Sequence, residues 1–213
     1  MINFIPIFPL KIVVFPGEQL NLHIFEPRYI QLINECATQK KPFGIPVVLD
    51  DRIAETGTLV QVEELAKVYE DGKMDIKTRG LSVFRVLEVI KEIPDKLYSG
   101  AIVDYPRNDE HKNIKMMQKV VTAIKELHKL LNLNKEFGKE VTDLKSYDVA
   151  HHAGLSTQEE YEFLQLFRED QRLEYLKRHL QKIIPMAAGL EAIKDKIKMN
   201  GHFRELSGFN FDL

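Results

Sequence analysis

The sequence predicts an α+β fold: a compact, partly closed β-barrel with one short helix, followed by a C-terminal helical bundle. Three observations carry this. Apolar residues alternate with period two through much of the first hundred positions, as Leu20, Leu22 and Ile24 do against Gln19, Asn21 and His23. Turn signals, Asp71-Gly72 foremost, divide those runs into short strands. Beyond a polar, proline-containing stretch at Tyr105–Asp109, a plausible linker, the apolar spacing changes to three and four residues.

The elements follow in order. Val14-Phe15-Pro16-Gly17 reads as a type II turn, with glycine at the positive-φ position. Phe15 turned inward anchors the barrel, the favoured reading, and turned outward it would help hold unfolded polypeptide. Leu20, Leu22 and Ile24 mark a strand. Glu26-Pro27-Arg28 starts a helix, because proline at the first helical position forfeits no hydrogen bond. Its expected apolar face is Tyr29, Ile33 and Cys36 with Ile30 and Ala37. Glu26 is placed to meet the helix N-terminus and Arg28 to pair with a barrel carboxylate. Alternation resumes at Phe43, Ile45, Val47 and Leu49, then at Thr58, Val60 and Val62. Asp71-Gly72, between Leu65–Tyr69 and Met74–Arg79, reads as a type I′ hairpin turn. Leu81, Val83, Leu87 and Val89 form another strand, with Phe84 and Val86 on its other face, and Leu97–Asp104 is a further one.

In the second half, Ile114, Met117, Val121, Ile124 and Leu131 make a helical stripe that Val120, Leu127 and Leu130 widen. Asn132–Thr142 is a loop and Tyr147–His152 a short helix. Ser156-Thr157-Gln158-Glu159 is a capping box opening a helix with Tyr161, Leu164 and Phe167. Leu173, Leu176, Leu180 and Ile183-Ile184 continue the register to Pro185. A separate helix over Ala187–Met199 is expected to stop at Asn200-Gly201, with Phe203, Phe209 and Phe211 in a tail docked on the body. The expected division is 1–105, the barrel; 106–185, a helical subdomain; and 186–213, a C-terminal helix and tail.

Composition excludes several function classes. The 213 residues are 44% hydrophobic and 29% charged, with a formal net charge of -2, so no global bias toward nucleic acid or anionic lipid exists. The single cysteine, Cys36, excludes an intramolecular disulfide framework and suits a reducing compartment; it reads as a buried small hydrophobe. No segment has the length and apolarity of a membrane span, and prolines 6, 9 and 16 interrupt the apolar start that a signal peptide would need. The expected location is the cytoplasm.

No catalytic constellation is visible. His151 and His152 are adjacent, so on a helix they point about 100° apart and chelate poorly. His128 and His179 lie on helices without a suitably spaced partner, and His23 sits in a strand. HExxH, G-x-S-x-G and Cys-His patterns are absent, as is the G-x-x-x-x-G-K-[ST] loop whose amides cradle nucleotide phosphates. Neither metal nor cofactor is expected, and the chain reads as no enzyme.

A linked set of motifs remains. Pro6-Ile7-Phe8-Pro9-Leu10 is followed by Val13-Val14-Phe15-Pro16-Gly17, then Phe25-Glu26-Pro27-Arg28-Tyr29. Gly57-Thr58, Asp71-Gly72, Gly80-Leu81 and Phe84-Arg85-Val86 come after, and Arg172-Leu173 lies near the final helix of the second half. In order and spacing this resembles the N-terminal domain of Lon-type ATP-dependent proteases, as found in stand-alone bacterial proteins. The resemblance implies a PUA-like barrel followed by helices. It also implies recognition of substrate proteins with no catalytic residue in the domain itself. The expected partner is unfolded or extended polypeptide, or a protease, with a homodimer conceivable and no membrane. Phe15, Phe25, Arg28, Tyr29 and Tyr69 are the candidate contacts for polypeptide. The alternative is RNA binding, since PUA-like barrels also occur in RNA-modifying proteins; mixed charge along the barrel segment argues against it.

Overall fold

A computed structural model describes residues 2–109 and 111–199, with side chains described as far as Leu190. The expected stop at Asn200-Gly201 and the aromatic tail lie outside these residues. Among these described residues the chain is a mixed α/β fold built on a six-stranded antiparallel sheet and five α-helices. The strands are β1 (Ile2–Pro6), β2 (Gln19–Ile24), β3 (Phe43–Leu49), β4 (Arg52–Val68), β5 (Met74–Ile90) and β6 (Gly100–Asp104). The helices are α1 (Pro27–Gln39), α2 (Ile114–Leu130), α3 (Ser146–Val149), α4 (Thr157–Leu164) and α5 (Glu169–Met199).

The sheet order is β1-β6-β5-β4-β3, and β2 also pairs with β5. The 17-residue β5 therefore serves two partners along one edge, β2 over Met74–Arg79 and β6 over Arg85–Ile90. The residues after β1 reach the opposite end of the sheet, where Ile7 and Leu10 bridge Gly44 and Val47 in parallel. Gly57 permits this curl, because a Cβ there would collide with the backbone of Ile45 and Pro46 and with the Phe84 ring.

Two strand expectations change. The segments Met74–Arg79 and Leu81–Val89 are a single strand, with Gly80 inside it. The Asp71-Gly72 turn is not type I′: only Gly72 has positive φ (82°), and its N–H donates to Tyr69 O. Three residues, Glu70 to Gly72, separate the pair Tyr69 and Lys73, so a type I turn with an αL glycine closes the hairpin.

Helix α1 begins with Pro27 as expected and ends at Lys40 in the left-handed region (φ 53°). Its buried residues are Tyr29, Leu32, Ile33 and Cys36, a face set by the i, i+3, i+4, i+7 spacing. They pack against Phe43, Ile45, Val60, Met74 and Ile76 of the sheet. Glu26 gives no side-chain cap and instead pairs with Arg28 at 2.7 Å, so Arg28 does not reach a sheet carboxylate. A short, local pairing needs less side-chain ordering than a distant one.

The second core joins the two halves. Val13, Phe15, Val47 and Val83 from the strand half cluster with Val121 and Ile124 of α2, Phe163 of α4, and Leu173, Leu176 and Leu180 of α5. Phe15 is fully buried, with ring centroids 5.5 Å from both Tyr147 and Phe163. Helix α4 starts at its capping box but stops at Leu164, leaving Phe167 in the connection to α5. Helix α5 continues through Pro185 instead of ending there. The carbonyl deprived of a donor is that of Gln181, and both residues are exposed, so water can satisfy it. Ile183, Ile184 and Ala187 pack on the core on either side of the proline and hold the helix together across it.

Arg172 locks the stretch before α2 onto the helices. Its side chain is completely buried. Nη1 donates to Asn108 Oδ1 and Leu166 O, both at 2.7 Å. Nη2 donates to Asp109 O (3.0 Å) and Glu169 Oε2 (2.8 Å), and Nε to Ser146 Oγ (2.7 Å). All five N–H donors of the guanidinium thus have acceptors, and its plane lies 4.2 Å over the Tyr147 ring. Asp109 also exchanges backbone bonds with Phe167 and Glu169, so the residues read as a linker are clamped at their C-terminal end.

Candidate functional site

The five nominated residues fall into three environments. Phe25 and Tyr69 come together across the sheet end through His23, whose ring centroid lies 6.1 Å from Phe25 and 5.9 Å from Tyr69. Asp75 accepts from His23 Nδ1 and from Tyr69 Oη, both at 2.7 Å. The bonds from His23 and then Tyr69 hold the Asp75 carboxyl below its ordinary range. Lys67 Nζ caps the Tyr69 ring at 4.4 Å, and Phe25 itself is 58% exposed. Arg28 lies over the Tyr29 ring at 4.5 Å. Tyr29 is buried and stacked on Phe8 at 3.9 Å, and Phe15 is internal, so both are core side chains. None of the five lines the cavity beside β1.

A site that periodicity did not reveal lies elsewhere. A cavity of about 690 Å³ opens between β1, the end of α1 and the residues joining β5 to β6. Phe4, Ile5 and Pro6 of β1 line it, with Cys36, Lys41 and Pro42 from the end of α1 and the residues after it. Ile93, Lys96, Tyr98, Leu59 and Ser82 also contribute to the lining. Phe4 is 53% exposed although apolar, and its ring lies over Gly100, where a Cβ would collide with it.

Helix α1 is hydrogen-bonded to the connection between β5 and β6. Glu35 accepts from Lys96 Nζ at 2.7 and 2.8 Å and from Tyr98 Oη at 2.6 Å. Those bonds, Lys96 first, hold the Glu35 carboxyl low, while burial and then the bond to Glu35 raise the Tyr98 phenol. Gln31 binds Asp95 O and Leu97 N, tying the same connection to the helix. Burial, reinforced by the Glu35 charge, pushes the Cys36 thiol up to about 11, so it is a neutral apolar wall and not a nucleophile.

The cavity borders an open strand edge. Ile7 N donates to Ser99 O, so odd-numbered residues of β1 turn their main chain toward β6. Phe8 N donates to Gly44 O and Leu10 N to Pro46 O, so even-numbered residues turn toward β3. That ladder starts only at Ile7–Gly44. Before it, Pro42 has no N–H to offer, and the chain turns away at the left-handed Lys40. The main chain of Phe4 therefore faces the cavity. Only three-dimensional pairing reveals this, since Ile2-Asn3-Phe4 looks like an ordinary apolar beginning.

The remaining candidates are local. The structure gathers Lys125, Lys129 and Lys135 around a cavity of about 550 Å³, but Glu136 and Glu140 stand among them, and Lys139 pairs with Asp148 at 2.7 Å. Among the described residues no group of three or more His, Cys, Asp or Glu side chains is placed to hold a metal ion. Among them, too, no helix is long and apolar enough to cross a membrane.

The chain is similar to known proteins throughout this architecture. A Lon N-terminal domain protein from Xanthomonas campestris superposes with a TM-score of 0.62 at 27% identity, over 82% of this chain and 96% of that one. The N-terminal domain of the Mycobacterium avium complex Lon protease shares the fold with a TM-score of 0.59 at 14% identity, over 84% of this chain and 98% of that one. The family profile described as the ATP-dependent protease La (LON) substrate-binding domain matches residues 5–182, which include every strand wall of the cavity from Ile5 onward and the buried Arg172 network. The chain belongs to the LON substrate-binding domain family.

Proposed function

We propose that this chain is a non-catalytic polypeptide-binding module that engages extended or partly unfolded protein and passes it to, or regulates, a protease in the cytoplasm. In this reading residues 1–105 are a PUA-like barrel and 106–185 a helical subdomain that braces it. The single observation that carries the proposal is the cavity beside β1, which combines apolar walls with outward-facing main chain at Phe4. Apolar pockets next to an unpaired strand edge suit β-strand addition, in which main-chain bonds supply affinity and pockets supply selectivity. Family membership supports substrate recognition as the general role.

The experiment is a peptide-array scan with the purified chain, repeated with Phe4→Asp. Because Phe4 is half exposed, the substitution spares the core and removes one apolar contact, so binding should weaken roughly tenfold. Absence of saturable binding to any peptide or unfolded protein would refute the proposal. RNA is the alternative ligand. A salt-dependent RNA affinity that Lys125→Glu abolishes would favour it.

A further inference from the structure

Resting on the polypeptide reading, we infer that the slot beside β1 selects an extended segment in which an apolar side chain is followed closely by a carboxylate. The slot presents three kinds of chemistry at once. Main-chain donor and acceptor of Phe4 face it, apolar walls from Pro6, Pro42 and Ile93 line it, and Lys41 stands at its rim.

The charge argument turns on which groups are already engaged. Glu35 and Lys96 neutralise each other at 2.7 Å, and the same carboxylate also accepts from Tyr98. Lys41 is exposed and has no ion-pair partner among the described residues. The adjacent Lys40 adds a second exposed cation. The rim is therefore positive while the interior is apolar and electrically balanced. A ligand complementary to it brings an apolar anchor for the interior and a negative group for the rim.

The geometry also selects extended polypeptide over a compact ligand. Ile7 and Leu10 show that this edge accepts a parallel neighbour, since β3 occupies it one step further along. Where β3 is prevented by Pro42 from continuing, a segment laid beside Phe4 would extend the same ladder. Its alternate side chains would point into the cavity and away from it, and the residue nearest the Lys40-Lys41 corner would meet the ammonium groups.

Three fluorescein-labelled peptides test this against the whole chain by anisotropy. They share an extended, β-branched sequence with one central Leu and differ only in the residue two positions on: Asp, Asn or Lys. A fourth carries an N-methyl group on the amide expected to pair with Phe4. The Asp peptide should bind about fivefold more tightly than the Asn peptide, the increment of one favourable exposed ion pair. In Lys41→Glu the order should invert, and N-methylation should abolish binding to both proteins. Equal affinity for all three peptides, unchanged in Lys41→Glu, would overturn the charge selection while leaving polypeptide binding intact. No binding of any peptide would overturn both. Self-association of the chain that Lys41→Glu removes in sedimentation would assign the slot to a second copy and overturn the inference as well.

Discussion

Replacing His151 with glutamine should destabilise the chain at pH 6 and leave it nearly unaffected at pH 9.5. His151 Nδ1 lies 2.6 Å from Glu160 Oε1, and Nε2 lies 3.0 Å from Glu18 Oε2. A carboxylate has no proton to give, so both ring nitrogens must donate, and only the imidazolium can do that. Burial among Phe15 and its neighbours opposes the charge, but the bonds to Glu160 and Glu18 outweigh it and push the pKa up to about 9. Against an unfolded value of 6.5 this corresponds to roughly 3.5 kcal/mol, at about 1.4 kcal/mol per pH unit. The side chain is 38% exposed, so solvent screening reduces the expectation to about 1–2 kcal/mol. The sign follows from a raised folded-state pKa: the stabilisation is complete below pH 6.5, declines above it and is gone once pH exceeds about 9.

Thermal unfolding of the two proteins at pH 6, 7.5 and 9.5 measures this. The difference in Tm should be about 2–8 °C at pH 6, given roughly 2–4 °C per kcal/mol for a chain of this size, and should shrink toward zero at pH 9.5. Comparing the two proteins at each pH cancels the titration of all shared groups. A gap that stays constant across the range would refute the imidazolium bridge. Because Glu18 belongs to the turn after Phe15 and Glu160 to α4, the lost contact is one that ties the strand half to the helices.

Two other outcomes follow from the same structure. Arg172→Met leaves Glu169 buried without its cation and should cost about 3–5 kcal/mol, read as a urea-midpoint shift; a change below about 1 kcal/mol would show the network to be dispensable. Cys36 should resist a disulfide reagent at pH 8 in the folded chain and react fully on denaturation, because it is buried and its thiol is raised to about 11; rapid modification of the native protein would contradict its burial on α1.

Local patterns carried much of the architecture. Pro27, the Ser156 capping box and the spacing of Met117, Val121 and Ile124 each act within one or two turns, so the sequence shows them directly. The motifs from Pro6 to Tyr29, with Arg172-Leu173, were enough to indicate the family, and the burial of Phe15 was legible from its apolarity. Reading stopped where two local preferences competed. Pro185 favours a helix end, yet apolar contacts on both sides keep α5 continuous, and Asp71-Gly72 favours type I′, yet the pairing of Tyr69 with Lys73 selects a longer turn.

What the sequence determined by itself was therefore the strand-then-helix order, the family and the lack of any visible catalytic pattern. The tertiary structure alone decided which distant groups meet: His151 with Glu18 across 133 positions, Arg172 with Asn108 across 64, and Phe4 with Pro42 across a cavity. The reason is physical. Periodicity records which face of an element avoids water, but the place where two strands stop pairing depends on backbone geometry at both. Here Pro42 and the left-handed Lys40 end one ladder, and the space they leave becomes the cavity beside β1.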